Sequence, residues 1–286
     1  MEEIKILTGV AEGVPHKAFV EAFSDYQVKM DFPLWKFQGM LKRKGYNSDF
    51  SMGYFSEGKL VGFIFNGYRE YRGRKTVYDL GTAVIPGYRK KGITSKVFKK
   101  VQELLKEKGA EVYLLEVIQS NTPAVELYKK NGFTVTRSFN CLNYNKEKEI
   151  TFKNREEMTL KPLEITEEVL MALSYFWDFY PSWQNSISSV VAYKEAFQGV
   201  IAVEEGDIVG YGIIDRRTGD IPQLAVDKNK RRQGIGTAIL GYLKDNTEAK
   251  GIVMLNIEKG TSNLEDFLIS RGFESGVTQY EMTLDI

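Results

Sequence analysis

The sequence has a single cysteine, Cys141, and a single histidine, His16, among its 286 residues. A disulfide within the chain is therefore impossible, and metal sites built from several cysteine and histidine ligands are excluded. A Ser–His–Asp triad would have to use His16, which stands beside Pro15 near the N-terminus. We interpret the two residues instead as a buried thiol and a surface imidazole.

Long apolar runs and an excess of charge of one sign are also missing. No apolar stretch approaches the ~20 residues of a membrane-spanning helix, and the first residues, Met1–Ile4, lack a basic and hydrophobic leader. The 39 basic and 38 acidic residues give a formal net charge of +1, so no overall field attracts nucleic acid or anionic membranes. We therefore expect a cytoplasmic protein that needs no metal and binds neither nucleic acid nor membrane.

The sequence does contain an internal repeat. Four short patterns of the first half return in the same order in the second half, at offsets that fall from 148 to 140 residues. The pairs are Phe32–Trp35 with Tyr180–Trp183, Glu57–Phe63 with Glu205–Tyr211, Arg89–Ile93 with Arg231–Ile235, and Gly132–Phe133 with Gly272–Phe273. Because the repeat is far longer than a solenoid unit, it predicts two domains, each with its own core. We place the domains at residues 1–147 and 158–286, with a charged linker at residues 148–157.

Periodicity predicts the same mixed α/β order of elements in both copies. In the first copy, Ser56–Lys59 is typical of a hairpin turn, in which glycine supplies a positive φ. A strand at Thr76–Ile85 then leads to an amphipathic helix at Gly92–Lys108. The nearly continuous apolar run Val112–Ile118 indicates a strand buried on both faces. A short helix follows at Thr122–Lys130.

In both copies a basic glycine turn joins a strand to a helix, at Val84–Thr94 and at Val226–Gly236. The first N–H groups of a helix have no partner within the helix, and glycine lets them approach an anion closely. An isolated match would favour a surface turn that only caps a helix. Two matches at equivalent places favour a site for a diphosphate or another compact anion. The spacing fits neither a Walker A loop nor a dinucleotide-binding glycine motif.

These turns resemble the [Arg/Gln]-x-x-Gly-x-[Gly/Ala] loop of the GCN5-related N-acetyltransferase (GNAT) superfamily, which binds the pyrophosphate of acetyl-CoA. Arg231–Gly236 matches fully, and Arg89–Thr94 matches except at Thr94, which would either crowd the phosphate or donate to it. The resemblance implies a mixed, mostly antiparallel sheet in each domain, splayed at the CoA site, with helices on both faces. It implies acetyl-CoA as a cosubstrate, bound by Val84, Arg89, Lys90, Lys91, Gly92, Ile93, Thr94 and Asn121 in the first copy and by Val226, Arg231, Arg232, Gln233, Gly234, Ile235 and Gly236 in the second.

The first copy also resembles the family in its second motif, through Leu115–Val117, Asn121, Ala124, Leu127–Tyr128 and Gly132–Phe133. The resemblance implies that Tyr128 is the general acid for the leaving thiolate, since a phenol stays protonated at neutral pH. The alternative is a core aromatic residue. For the base that deprotonates the amine we consider Asp79 first and Glu116 second, with ordinary strand residues as an equal alternative. The Val84 amide would polarise the thioester carbonyl.

The second copy departs from this motif. Leu268 stands where the first copy has Tyr128, and Thr261 stands where it has Asn121. We therefore expect the first copy to be catalytic and the second to be degenerate, holding CoA or serving structure. The aromatic segment Tyr175–Trp183 suits either an amine pocket or, as we favour, packing against the other copy.

The sequence as a whole predicts transfer of an acetyl group from acetyl-CoA to a primary amine of a small molecule or peptide, by direct attack in a ternary complex. An inactive CoA-binding sensor or scaffold is the main alternative. A nucleic-acid binder that uses the basic residues of the two turns is a weaker one, because no stacking aromatic motif accompanies them.

Overall fold

The computed structural model describes residues 1–11, 13–25, 32–145, 158–261 and 263–286, and the predicted linker at 148–157 lies outside them. The strands are β1 Glu2–Ile6, β2 Met52–Ser56, β3 Lys59–Tyr71, β4 Arg74–Val84, β5 Val112–Ile118, β6 Thr134–Asn145, β7 Met158–Pro162, β8 Phe197–Glu204, β9 Asp207–Asp215, β10 Gln223–Val226, β11 Gly251–Glu258 and β12 Glu274–Asp285. The helices are α1 Gly13–Ala22, α2 Leu34–Lys44, α3 Ile93–Glu107, α4 Thr122–Lys130, α5 Glu167–Leu173, α6 Ile187–Ala192, α7 Ile235–Asp245 and α8 Leu264–Ser270. The mixed α/β class is confirmed.

The chain forms two compact units that differ from the two sequence copies by exchanged segments. The first unit contains residues 1–116 and 128–134, together with residues 282–286 at the end of the second copy. The second unit contains residues 117–127 and 135–281, so it includes almost all of β6 from the first copy. Each unit therefore uses a strand segment from the other copy.

The sheet of the first unit runs in the order β1-β2-β3-β4-β5, followed by the end of β12. A tight turn with positive φ at Glu57 and Gly58 joins β2 to β3, as the sequence predicts. Strand β4 pairs in parallel with β5 from Thr76 to Asp79. Beyond Asp79 the described residues of β4 and β5 no longer pair with each other, so Asp79 lies where these two strands separate.

Helix α3 packs on this sheet through one apolar face. Its buried side chains recur every three or four residues, which is the spacing of a single helix face. They are Ile93, Val97, Phe98, Val101, Leu104 and Leu105. The packing fixes the helix axis and therefore fixes the position of its first turn at the end of β4.

The second unit has a four-stranded sheet in the order β10-β9-β8-β7, and a further set in the order β12-β6-β11. A single parallel bridge between Asp220 and Val253 links the two sets. Strands β10 and β11 then belong to different sheets, which repeats the split seen between β4 and β5.

The core of the second unit includes both exchanged and native segments. Leu142 and Tyr144 of β6 lie in one apolar cluster with the helix residues Ile239 and Leu243. On the same strand, buried Arg137 bonds Glu281 of β12, with Nη2 and Oε2 only 2.6 Å apart. Arg137 also donates to Glu258 across 3.1 Å. The exchanged strand therefore supplies both apolar and charged contacts to this unit.

Some predicted boundaries differ from the structure. The alternating residues Phe50–Phe55 predict a strand, whereas Phe50 ends a 3₁₀ turn that the Asn47 side chain caps. The sequence also predicts closing strands at Phe133–Tyr144, and the structure has one long strand there, β6. Both differences arise where an apolar residue at a loop end continues an alternating pattern.

Candidate active site

The two basic glycine turns have the same backbone shape. In each, a 3₁₀ turn follows the strand, at Pro86–Tyr88 and at Lys228–Lys230. Two left-handed residues come next, with φ values of 62° and 71° at Lys90 and Gly92. The corresponding values in the second copy are 62° and 88°, at Arg232 and Gly234. A repeated left-handed pattern turns successive amides toward one side, which is the shape of an anion-binding concavity.

The arginine that opens each turn braces the loop. Arg89 donates from Nε to the Val84 carbonyl across 3.0 Å, and its other nitrogens reach both carboxylate oxygens of Asp25 at 2.6 and 2.8 Å. In the second copy, Arg231 donates to the Val226 carbonyl across 3.2 Å and to Asp178 across 2.9 Å. The bidentate pair with Arg89 lowers the pKa of Asp25. Both guanidinium groups therefore shape the loop with bonds inside their own unit.

The helix that follows each turn begins with open amides. Gly92 and Gly234 occupy the N-cap positions of α3 and α7, where a glycine has no side chain to cap the first amides of the helix. A Cβ built on either glycine would meet no described heavy atom within 4 Å. The space beside both glycines is therefore open. Thr94, the departure from the family motif, is half-buried in the first turn of α3.

Tyr128 and Asp79 form a buried pair in the first unit. The Tyr128 phenol donates to Asp79 Oδ2 across 3.3 Å, and Thr82 donates to the same oxygen across 2.6 Å. Tyr128 and Asp79 are 8% and 6% exposed. The rings of Phe98 and Phe133 surround the phenol, with centroids 6.0 and 5.7 Å away. The structure thus brings together the predicted acid and the first of the two predicted bases at the split between β4 and β5.

Burial dominates the electrostatics of this pair. Loss of solvent raises the pKa of Asp79 from 3.8 to about 6, although the bonds from Thr82 and Tyr128, the amide of Gly81 and the charge of Lys44 all favour the ionised form. Asp79 Oδ1 is buried and accepts no hydrogen bond from any described residue. A carboxyl group with a pKa near neutrality takes up and releases protons readily.

Two further candidates of the first copy are Glu116, on β5, and Asn121, directly before α4. Glu116, the second candidate base, is half-buried on β5 and accepts a hydrogen bond from the Tyr78 phenol across 3.2 Å. Asn121 precedes α4, and its Oδ1 accepts weakly from the Ala124 amide at 3.4 Å. Lys90 and Lys91 are exposed beside the turn. Sequence reasoning missed Thr82 and Asp25, because a lone hydroxyl or carboxylate has no characteristic spacing.

The second unit keeps the backbone of this region without the side chains predicted as acid and base. The Phe133 amide bonds the Tyr128 carbonyl at 3.1 Å, and the Phe273 amide bonds the Leu268 carbonyl at the same distance. Leu268 therefore occupies the position of Tyr128. At the offset that relates the two turns, Ile221 replaces Asp79. Both apolar side chains are fully buried.

A cavity of about 670 Å³ opens beside the second turn. Its lining includes the turn residues Arg231 and Gly234, and Gln223 on β10. Aromatic residues of the segment 175–183 also line it, which supports a pocket role for that segment. They are Phe176, Trp177 and Phe179. The sequence did not predict this cavity. The replacement of Tyr128 and Asp79 by Leu268 and Ile221 carries no information about the volume of the site.

Comparison with known proteins gives the same assignment in both halves. The profile described as "Acetyltransferase (GNAT) family" matches residues 17–133, and that described as "Acetyltransferase (GNAT) domain" matches residues 172–282. The fold is shared with a tandem GNAT protein from the clavulanic acid biosynthesis pathway, at a TM-score of 0.74 and 15% identity over 100% of this chain and 98% of that one. A putative acetyltransferase from Pyrococcus horikoshii aligns with a TM-score of 0.69 and 16% identity over 100% of this chain and 89% of that one.

The chain belongs to the GNAT superfamily of acyltransferases. More particularly, it is a tandem member with two GNAT domains in one polypeptide. Among curated relatives, a streptothricin acetyltransferase from Streptomyces lavendulae is 35% identical over 27% of this chain and 40% of its own length. A bovine thialysine N-epsilon-acetyltransferase is 34% identical over 30% of this chain and 52% of its own length. The chain thus spans about half the length of the curated relatives that it matches. No helix in the described ranges is long and apolar enough to cross a membrane.

Proposed function

We propose that the first copy transfers an acetyl group from acetyl-CoA to a primary amine of a small molecule or peptide, by direct attack in a ternary complex. The observation that carries the proposal is the hydrogen bond between Tyr128 and Asp79, 3.3 Å long, at the split between β4 and β5. An acid and a base in contact, buried in one place, are what an acyl transfer between an ammonium ion and a thioester requires.

The proposed step balances as follows. The amine loses a proton to Asp79, and its nitrogen attacks the thioester carbon. The C–S bond breaks, and the thiolate takes the phenolic proton of Tyr128. Asp79 then returns its proton to Tyr128 across their hydrogen bond, and the nitrogen of the tetrahedral intermediate releases its second proton to solvent. The net transfer from the ammonium ion is therefore one proton to sulfur and one to solvent. The Val84 amide would stabilise the developing oxyanion.

The residues of the first turn fit the cosubstrate. Linked phosphates need several donors and positive potential, and the uncapped first turn of α3 offers open amides at the positive end of its dipole. Exposed Lys90 and Lys91 add charge beside these amides. Arg89, held by Asp25, contributes by keeping the turn in shape. In this proposal Gly92, Ile93 and Thr94 supply the amides.

The acceptor class is inferred from the relatives. The names of two matching proteins specify streptothricin and thialysine, which are small molecules. A buried carboxylate that takes up a proton near neutral pH suits an acceptor that arrives as an ammonium ion. We therefore place a small-molecule amine ahead of a peptide as the acceptor.

The test is thiol release from acetyl-CoA against a panel of small amines and peptides, with wild-type protein and Tyr128→Phe. We expect the variant to lose about 10²- to 10⁴-fold in kcat and to bind acetyl-CoA within about twofold of wild type. The matched control is Tyr113→Phe, which removes another buried phenol of this unit, bonded to Asn66 at 2.9 Å. Its rate should change by only a few fold.

Two outcomes would contradict the proposal. Full activity of Tyr128→Phe would remove the phenol from the mechanism. Acetyl-CoA binding without thiol release for every amine would favour the alternative, an inactive CoA-binding sensor.

A further inference from the structure

The Asp79 carboxyl group is held by a second side chain besides Tyr128. Thr82 donates to Asp79 Oδ2 across 2.6 Å, whereas Tyr128 donates to the same oxygen across 3.3 Å. Hydrogen bonds between two oxygen atoms are usually roughly 2.5 to 3.0 Å long. The bond from Thr82 is therefore the stronger restraint on the carboxyl group, and the longer bond from Tyr128 depends on where that group is held.

An irregularity in β4 brings the Thr82 hydroxyl to this position. Residues three apart on a regular strand face opposite sides of the sheet. The register of β4 against β3 shifts between Gly81 and Asp79, so Leu80 is an extra residue in the ladder. A bulge of this kind moves the alternation of side chains by one residue. Thr82 therefore lies on the same face of the sheet as Asp79.

The two bonded side chains have little freedom to move. Threonine is branched at Cβ, which restricts its χ1 angle, and Thr82 is half-buried opposite Ile64 of β3. Asp79 is only 6% exposed, so little solvent competes for its carboxyl oxygens. The bond between them therefore fixes the direction in which the carboxyl group faces.

The second copy has lost both members of this pair. At the offset of 142 residues that relates the two turns, Ile221 replaces Asp79 and Leu224 replaces Thr82. Both aliphatic side chains are buried. A leucine offers no hydrogen-bond donor, and an isoleucine requires none. The hydroxyl is thus present in the copy that has the carboxyl group and absent from the copy that lacks it.

We propose that Thr82 is a positioning residue for the acetyl transfer by the first copy, and the inference rests on that proposed function. Its hydroxyl holds Asp79 Oδ2 against the Tyr128 phenol. The acid and the base thereby stay in the contact across which the proton returns to Tyr128. Thr82 itself neither gains nor loses a proton in the reaction.

The first test compares the rates of three variants in the thiol-release assay. Thr82→Val keeps the shape of the side chain without its hydroxyl, and kcat should fall about 10- to 100-fold while the acceptor KM changes less than about threefold. Thr82→Ser restores the donor and should recover a rate within about threefold of wild type. Thr76→Val is the matched control, because Thr76 lies on the same strand and donates to the Arg74 carbonyl across 3.0 Å.

The second test follows the titration of Asp79 by ¹³C NMR of the labelled aspartate carboxyl carbons, with Asp79→Asn to identify the resonance. The bond from Thr82 favours the ionised carboxyl group and so lowers the pKa of Asp79, which burial raises to about 6. The midpoint should therefore move upward by roughly one pH unit in Thr82→Val. It should stay in place in Thr76→Val.

The variant leaves the other groups that act on Asp79 in place. They are Lys44 on α2, Tyr113 on β5 and Tyr128 on α4. A hydroxyl carries no charge, so its removal does not alter the charge around the carboxyl group. A changed midpoint therefore reports the lost hydrogen bond.

Two results would overturn the inference: an Asp79 midpoint that is the same in Thr82→Val and wild type, or equal rates for Thr82→Val and Thr76→Val. Circular dichroism checks folding, and Thr82→Ala takes the place of Thr82→Val if the latter does not fold. The titration needs neither acceptor nor cosubstrate. An unchanged midpoint with normal turnover would contradict the role of Thr82 alone. A moved midpoint without thiol release for any amine would contradict the acetyl transfer and leave the bond between Thr82 and Asp79 established.

Discussion

Tyr128 donates a hydrogen bond to Asp79, and the two side chains come from different elements of the first unit. Tyr128 lies on α4, and Asp79 is the last residue of β4 that pairs with β5. The contact between the two side chains depends on where the pairing of β4 and β5 ends. Further pairing beyond Asp79 would close the space between the strands. The geometry of the sheet therefore sets the chemistry proposed for this copy.

The pH dependence of the rate should report on Asp79. Burial raises the pKa of this carboxyl to about 6, so a proposed base is lost as the pH falls through that value. We expect kcat/KM of the wild type to decline below about pH 6. Glu116→Gln should keep this decline, whereas Asp79→Asn should lose it together with most of the rate. A decline retained in Asp79→Asn and lost in Glu116→Gln would assign the base to Glu116.

The stability of Asp79→Asn should depend on pH in a defined direction. A pKa raised from 3.8 to about 6 means that the folded state favours the protonated carboxyl. The contribution of Asp79 to stability is therefore fully present below about pH 4 and is lost as the pH rises through 6. Relative to wild type, the free energy of unfolding of Asp79→Asn should rise by roughly 2 kcal/mol between pH 4 and pH 7. Urea denaturation at both pH values measures it, and a constant difference would contradict the assignment.

The two glycines of the first turn should respond differently to alanine. Gly92 has a φ of 71°, so Gly92→Ala should cost about 1 kcal/mol of stability. Its new methyl group would project into the space before α3, and acetyl-CoA affinity should fall about tenfold or more. Gly87 has neither a left-handed φ nor a described heavy atom within 4 Å of a built Cβ. Gly87→Ala should therefore leave stability and affinity unchanged. Equal effects of the two variants on acetyl-CoA titrations would remove Gly92 from the binding site.

The buried charges on β6 and β12 should depend on each other. The Arg137 and Glu281 side chains are 6% and 2% exposed. Arg137→Met would leave a carboxylate buried without its main partner and should cost about 3 to 5 kcal/mol. The double variant Arg137→Met, Glu281→Leu should recover most of that loss, because apolar pairs replace buried ion pairs at little cost. Thermal unfolding of the three proteins checks this, and additive losses would show that the pair is not coupled.

Much of the fold could be predicted from local patterns. The sequence predicts a helix at about Leu34–Lys44, and this limit, like those of α4 and β5, agrees with the structure, because each element has a strong apolar period and a clear end signal. At the end of α2, for example, Gly45 adopts a left-handed φ of 71°. The exchange of closing strands could not be predicted. Both copies end in strands with similar alternation, and alternation specifies which face is buried without specifying the neighbouring strand.

The candidate site shows the same limit. The turns and Tyr128 could be singled out from the sequence because they occur in motifs with fixed spacing, and their roles stay a prediction. The bonds by which Arg89 and Arg231 hold the turns could not be predicted. Their partners, Asp25 and Asp178, are 153 residues apart, whereas the repeated motifs are offset by 140 to 148 residues. The cavity was not predictable either, because it arises from the divergence of β10 and β11, and no single residue marks such a divergence.

The exchanged strand segments make the halves of this duplicated chain mutually indispensable. A gene cut at the boundary of the repeat would leave one product without residues 282–286 and the other without residues 135–145. Each fragment would expose an unfinished sheet edge, which invites aggregation. Evolution can therefore erase the chemistry of one half while the other half still requires its polypeptide as scaffolding.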